Sequence, residues 1–96
     1  MEIKLYKPIM VDGKEVKTLE PDFDSLNNGT MDRAQKFVQA RNHIVVLAAT
    51  DETYNGIVGA LAAGLAPEDA WALHPKDMRR LAGETMAFFQ NDSAES

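Results

Sequence analysis

Side chains able to do chemistry are few in this 96-residue chain, and their spacing suits it poorly. The two histidines, His43 and His74, lie far apart, without the His-Glu-x-x-His spacing that sets two imidazoles on one helix face for a metal. His74 precedes Pro75 at a helix junction, where a structural or exposed imidazole is the ordinary outcome. Acid pairs occur at Asp22/Asp24, Asp51/Glu52 and Glu68/Asp69. Paired carboxylates can share acid–base work, as in glycosidases. Two of these pairs, however, sit where a helix start attracts negative charge without any catalysis. A domain of this length also offers little volume for a water-excluding pocket. Cysteine is absent, which rules out a disulfide framework and thiolate metal sites. The residues therefore assign no catalytic group, metal ligand or cofactor, and the chain reads as a non-enzyme.

Shorter motifs fare no better. Asp24-Ser25-Leu26 matches the triplet on which acyl carrier proteins bear phosphopantetheine, but here it follows a hairpin and runs into Asn27-Asn28-Gly29. The stretch Asp24 to Gln35 has a glycine at the sixth place of a calcium loop, yet Leu26 and Gln35 stand where oxygen ligands are needed. Asn28-Gly29-Thr30 fits the N-glycosylation pattern, a bystander without a secretory signal. Arg79-Arg80, flanked by Lys76 and acids, reads as a solvated face. A helix-turn-helix over 51–73 would bring Glu68 and Asp69 against DNA phosphates, so helix packing on helix is the better reading.

Composition sets the frame in which these residues act. Asp and Glu outnumber Lys and Arg 15 to 10, a net charge of −5, which disfavours nucleic acid as a partner. The hydrophobic share of 45% supports a core. A domain this small buries only roughly 60–65% of the surface its unfolded chain exposes, so a partner or a second copy would help its stability. The richest apolar stretch, Ile44 to Ala49, is far short of a membrane span, and the N-terminus has no basic-then-apolar signal. A bacterial or viral cytoplasmic protein fits these features.

The elements follow from pattern. Residues 3–20 predict a β-hairpin around Asp12-Gly13, with Pro8 at an edge or at the end of pairing. The turn-rich 21–29 then leads to a helix capped by Thr30 and running to about Arg41, its stripe Met31, Ala34, Phe37 and Val38. The run His43 to Ala48 could be a short third strand or more helix; its β-branched residues favour the strand. A second helix has Thr50 as cap, Tyr54, Ile57, Val58, Leu61, Ala62 and Leu65 on one face, and Gly64 as its stop. Pro67-Glu68-Asp69 opens a short third helix. A last helix runs from 75 to about 90, burying Met78, Leu81, Ala82, Thr85, Phe88 and Phe89. The expectation is one α+β domain over 1–90, an N-terminal hairpin followed by a cluster of three to four helices, and a flexible polar tail over 91–96.

Three groups of residues carry a resemblance. Leu5-Tyr6-Lys7-Pro8-Ile9 with Val11-Asp12-Gly13 and Val16-Lys17-Thr18-Leu19 forms an opening hairpin. Thr50-Asp51-Glu52-Thr53-Tyr54, then Ala60 and Ala62-Ala63-Gly64-Leu65, forms a central helix. Pro67-Glu68-Asp69, Leu73, Lys76-Asp77, Leu81 and Phe88-Phe89 forms a closing segment. In this order, from about Ile3 to Phe89, the chain resembles the tail assembly chaperones of tailed bacteriophages, of the Mu-like and related types. It departs from their pattern over 22–30, where the family has a more regular lead into the helix.

The resemblance implies a host-cytoplasmic helper, absent from the finished virion, that coats the tape measure protein, keeps it soluble and brings tail tube protein to it. It carries no catalytic residues. Client contacts would come from apolar helix faces, with Tyr54, Ile57 and Leu61, or Met78, Met86 and Phe89, as candidates; in so small a domain their default place is the core. A reading from another class is an acidic regulatory or DNA-mimic protein that blocks a basic partner.

Overall fold

Asp12 and Gly13 both adopt positive φ, 51° and 80°, and so make the tight turn their side chains suit. They join β1 (Ile3–Val11) to β2 (Lys14–Leu19) in an antiparallel pair in this computed structural model, which describes residues 1–92. Pairing runs from Val11↔Lys14 to Ile9↔Val16 and resumes at Lys4↔Thr18. Between these, Leu5–Pro8 of β1 lie opposite Lys17 alone, so β1 bulges out where Pro8 has no N–H to give. Ile3, Leu5, Ile9 and Leu19 point inward and are buried against the helices.

Four helices follow: α1 (Asn28–Ala40), α2 (Glu52–Ala62), α3 (Pro67–Trp71) and α4 (Pro75–Asp92). The fold is the expected α+β arrangement, a hairpin and then a helical cluster. The start of α1 differs from expectation. Asn27, extended at φ −142°, is the cap, and its Oδ1 accepts from the Thr30 amide at 3.0 Å. Thr30 lies inside the first turn. The helix ends where Asn42 turns left-handed at φ 64°, and the His43 amide donates back to the Val38 carbonyl at 3.0 Å.

The third strand does not form. Among the described residues the sheet has two strands, and 43–47 is an irregular loop closed by a 3-10 turn, Ala48–Thr50. Part of the β1 flank is already occupied by side chains of α4. Asp77 accepts from the Tyr6 and Lys7 amides, at 2.8 and 3.1 Å, and Arg80 donates to the Lys4 carbonyl at 3.1 Å. Side chains thus close the strand flank in place of backbone.

Central to the core is α2, buried along most of its length. Asp51, not Thr50, caps it, accepting from the Tyr54 amide at 2.8 Å. Gly64, at φ 88°, stops it as expected, with the Leu65 amide donating to the Ala60 carbonyl. Gly56 and Gly59 let α4 come close. A Cβ on Gly56 would overlap the Met78 thioether, and one on Gly59 would sit 2.5 Å from Thr85 Oγ1 and 3.4 Å from the Leu81 carbonyl.

His74 turns out to be structural. Its carbonyl accepts from the Asp77 and Met78 amides and its Nδ1 from the Lys76 amide, so it begins α4. That helix continues through Asp92, two residues into the expected polar tail; 93–96 lie outside the described residues. Phe23, in the 3-10 turn Phe23–Ser25, stacks on Phe88 at 5.2 Å, which fastens the irregular 22–30 segment to α4.

Candidate functional site

The six candidate contact residues divide by depth. Ile57 is fully buried, Tyr54 is 6% exposed, and Leu61 packs half-buried against the core. Met78 and Met86 are half-buried, and Phe89, expected inside, is 43% exposed. Phe88 and Phe89 are neighbours on a helix and cannot both face inward; Phe88 takes the Phe23 stack and Phe89 is left at the surface.

Three of the six meet at one place. Tyr54, Met86 and Phe89, with Met31, Ala48 and Ala49, line an apolar groove of about 290 Å³ between α1, the 3-10 turn, α2 and α4. Burial raises the Tyr54 phenol above its usual pKa of 10.0, so it is neutral there at physiological pH. Met78 lies elsewhere, in a shallower recess of about 180 Å³ beside Trp71 and Leu73.

Next to the groove stands the loop that failed to pair. Ile44, Val46 and Leu47 are 80%, 90% and 62% exposed. The chain runs directly from them through Ala48 and Ala49 into the groove wall. This surface was hidden from sequence reasoning because a β-branched run is normally an interior strand; only its lack of a partner puts it outside. The loop is tied at its base. His43 Nε2 meets Asp51 Oδ2 at 2.8 Å and Oδ1 at 3.0 Å, while Asp51 also caps α2. Buried Asn55 adds a second tie, donating to the carbonyls of Ala48 and Asp51 at 2.7 and 2.8 Å.

An imidazole held by a carboxylate is two-thirds of a hydrolytic triad, and it needs a hydroxyl or thiol on the far nitrogen. Among the described residues no serine or threonine hydroxyl is bonded to His43, and Ser25 donates instead to the Asp22 carbonyl at 2.7 Å, at the end of its 3-10 turn. The remaining acid pairs serve the fold: Glu52 meets Arg79 at 3.5 Å, and Glu68 and Asp69 lie in the first turn of α3. Among the described residues no group of three or more His, Cys, Asp or Glu is placed to hold a metal ion. No helix of the described residues is long and apolar enough to cross a membrane.

A second surface feature was missed in the sequence. The Arg41 guanidinium lies over the rings of both Phe37 and Trp71, at 4.7 and 4.8 Å, and pins α1 to α3. Comparison of the chain with family models, with curated proteins and with solved structures finds no match.

Proposed function

We propose that this protein is a tail assembly chaperone of a tailed bacteriophage, and that it holds the tape measure protein on the surface formed by the groove and the 44–47 loop. The carrying observation is the continuity of that surface: exposed Ile44, Val46 and Leu47 run into a groove walled by Tyr54, Met86 and Phe89. Apolar side chains grouped this way at the surface of a small domain mark a docking site rather than scattered exposure. The exposed ones, Ile44, Val46 and Leu47, contribute up to about 1.5–3 kcal/mol each when fully covered. An amphipathic client helix would lay its apolar face into the groove, and methionine adapts to varied client side chains.

Of the original six candidates, this reading keeps Met86 and Phe89 as contacts and Tyr54 as the groove floor. Ile57, Leu61 and Met78 serve packing. The acidic remainder of the surface would keep a chaperone–client complex in solution. In this reading the protein works in the host cytoplasm, brings tail tube protein to the tape measure, leaves before the virion is complete, and performs no catalysis.

Co-expression with tape measure fragments tests it. The wild-type chain is expected to keep an otherwise insoluble fragment in solution, with binding that persists at high salt. Fragments that stay insoluble throughout would remove the proposal. Binding that disappears with salt would point instead to the acidic regulator of a basic partner.

A further inference from the structure

Four cations lie on β1 and the first turns of α4 without an acidic partner, and three of them share one notch. Lys4, Lys7, Lys76 and Arg80 make no ion pair among the described residues, although acids outnumber bases in the chain 15 to 10. Lys76 Nζ stands 4.4 Å above the Tyr6 ring, and Arg80 donates to the Lys4 carbonyl. Around exposed Tyr6, the side chains of Lys4, Lys76 and Arg80 line an open notch of about 340 Å³. Arg79, one residue away, turns to Glu52.

The acid in the notch does not neutralise it. Asp77 is 2% exposed, and its two oxygens accept from the Tyr6 and Lys7 amides. Those two consecutive amides are the donors that would cradle a compact anion such as phosphate. With both engaged, the notch offers long cationic side chains spread around an aromatic face. That arrangement suits carboxylates spaced along a polypeptide, with the Tyr6 ring covering the stem between them.

We infer that this notch docks an acidic segment of a protein partner, its carboxylates meeting Lys4, Lys76 and Arg80. The site uses β1 and the first turns of α4, whereas the groove takes Met86 and Phe89 from the far end of that helix, so the notch stands whether or not the chaperone reading does. It also has the opposite polarity to the chain as a whole. An acidic protein repels acidic partners over much of its surface, and a local cationic notch that admits them favours one docking orientation.

The test is titration of the 15N-labelled chain with a synthetic peptide of alternating glutamate and alanine. Saturable shifts are expected at the amides of Lys4, Tyr6, Lys7, Lys76 and Arg80, with affinity falling several-fold between about 50 and 200 mM salt. The double variant Lys4→Glu/Lys76→Glu is expected to bind at least tenfold more weakly, with its amide spectrum unchanged away from the notch. Arg33→Glu, the same reversal on exposed α1, should bind within twofold of wild type. Should the double variant disturb the fold, Lys4→Gln alone is expected to weaken binding two- to threefold. Shifts that map elsewhere, an absence of saturation, or tighter binding of inorganic phosphate or duplex DNA at these residues would each overturn the inference.

Discussion

The carboxylate of Asp77 accepts the backbone amide of Tyr6 at 2.8 Å, joining the first turn of α4 to the bulge of β1 across most of the chain. Its second oxygen takes the Lys7 amide at 3.1 Å, and the side chain is almost fully buried. Charge-assisted bonds of this kind are worth about 1.5–3 kcal/mol each. Asp77→Ala should therefore destabilise the fold by about 2–4 kcal/mol, since both amides lose their acceptor. Asp77→Asn should cost roughly half as much, keeping one acceptor oxygen. Urea unfolding of the two variants gives the comparison, and equal stability of Asp77→Ala and wild type would remove Asp77 from this role.

Glycine to alanine has opposite effects at different helix positions. Nothing lies within 4 Å of a Cβ added at Gly83, so Gly83→Ala should stabilise α4 by about 0.5–1 kcal/mol. Gly59→Ala should destabilise by about 1–3 kcal/mol, because Thr85 is buried and its hydroxyl is held by the Leu81 carbonyl at 2.8 Å. Gly56→Ala should fall between them, as the flexible Met78 thioether can move aside. The rank order of thermal midpoints checks all three.

Tyr54 supplies a pH dependence of definite sign. Burial raises its folded-state pKa above the unfolded 10.0, so the unfolded chain loses the phenolic proton first as pH rises. Its stabilising contribution is complete below pH 10 and is lost between the unfolded and the raised folded value. Stability measured above pH 10 should fall less steeply in Tyr54→Phe than in the wild-type chain.

The loop tie has a local readout. Asp51→Ala removes the α2 cap together with the His43 contact and should cost about 1–2 kcal/mol. His43→Ala leaves the cap and should cost less. Both should speed amide hydrogen exchange within 44–50, while the β1–β2 amides of Asp51→Ala change only with global stability.

Exposed loop residues separate binding from folding. Val46→Asp and Leu47→Asp should change stability by no more than about 0.5 kcal/mol, since both side chains already face water. The same variants should lose the ability to keep a tape measure fragment soluble. Full retention of that ability would remove the loop from the proposed client surface.

What could be read in the sequence was what local chemistry decides. Asp12-Gly13 specifies its own turn, Pro67 and Gly64 mark helix limits, and the 3.6-residue stripes place Tyr54, Ile57 and Val58 of α2 and Leu81 of α4 in the core. Caps were misplaced where two capable residues stand close together. Asn27 outcompetes Thr30, and Asp51 outcompetes Thr50, because each holds the extended conformation at the point where the chain turns into helix.

Long-range effects were not legible. His43 to Ala48 has the composition of a strand, yet a strand needs a backbone partner; Asp77 and Arg80 hold three backbone groups of β1, and the segment runs instead into the 3-10 turn Ala48–Thr50. The same limit applies to the candidate site. Met86 and Phe89 could be named as apolar, but the groove they line depends on Ala48 and Ala49, which a failed strand delivers to it.

With the Lys4–Lys7 stretch of β1 held by α4 side chains, that edge of the hairpin offers fewer free backbone groups to another copy than β2 does. Two hairpins joined along β2 would each turn the occupied stretch outward, which opposes further extension. The exposed aliphatic surface of the 44–47 loop thus belongs to a chain whose sheet has an outer strand partly closed to fibre growth.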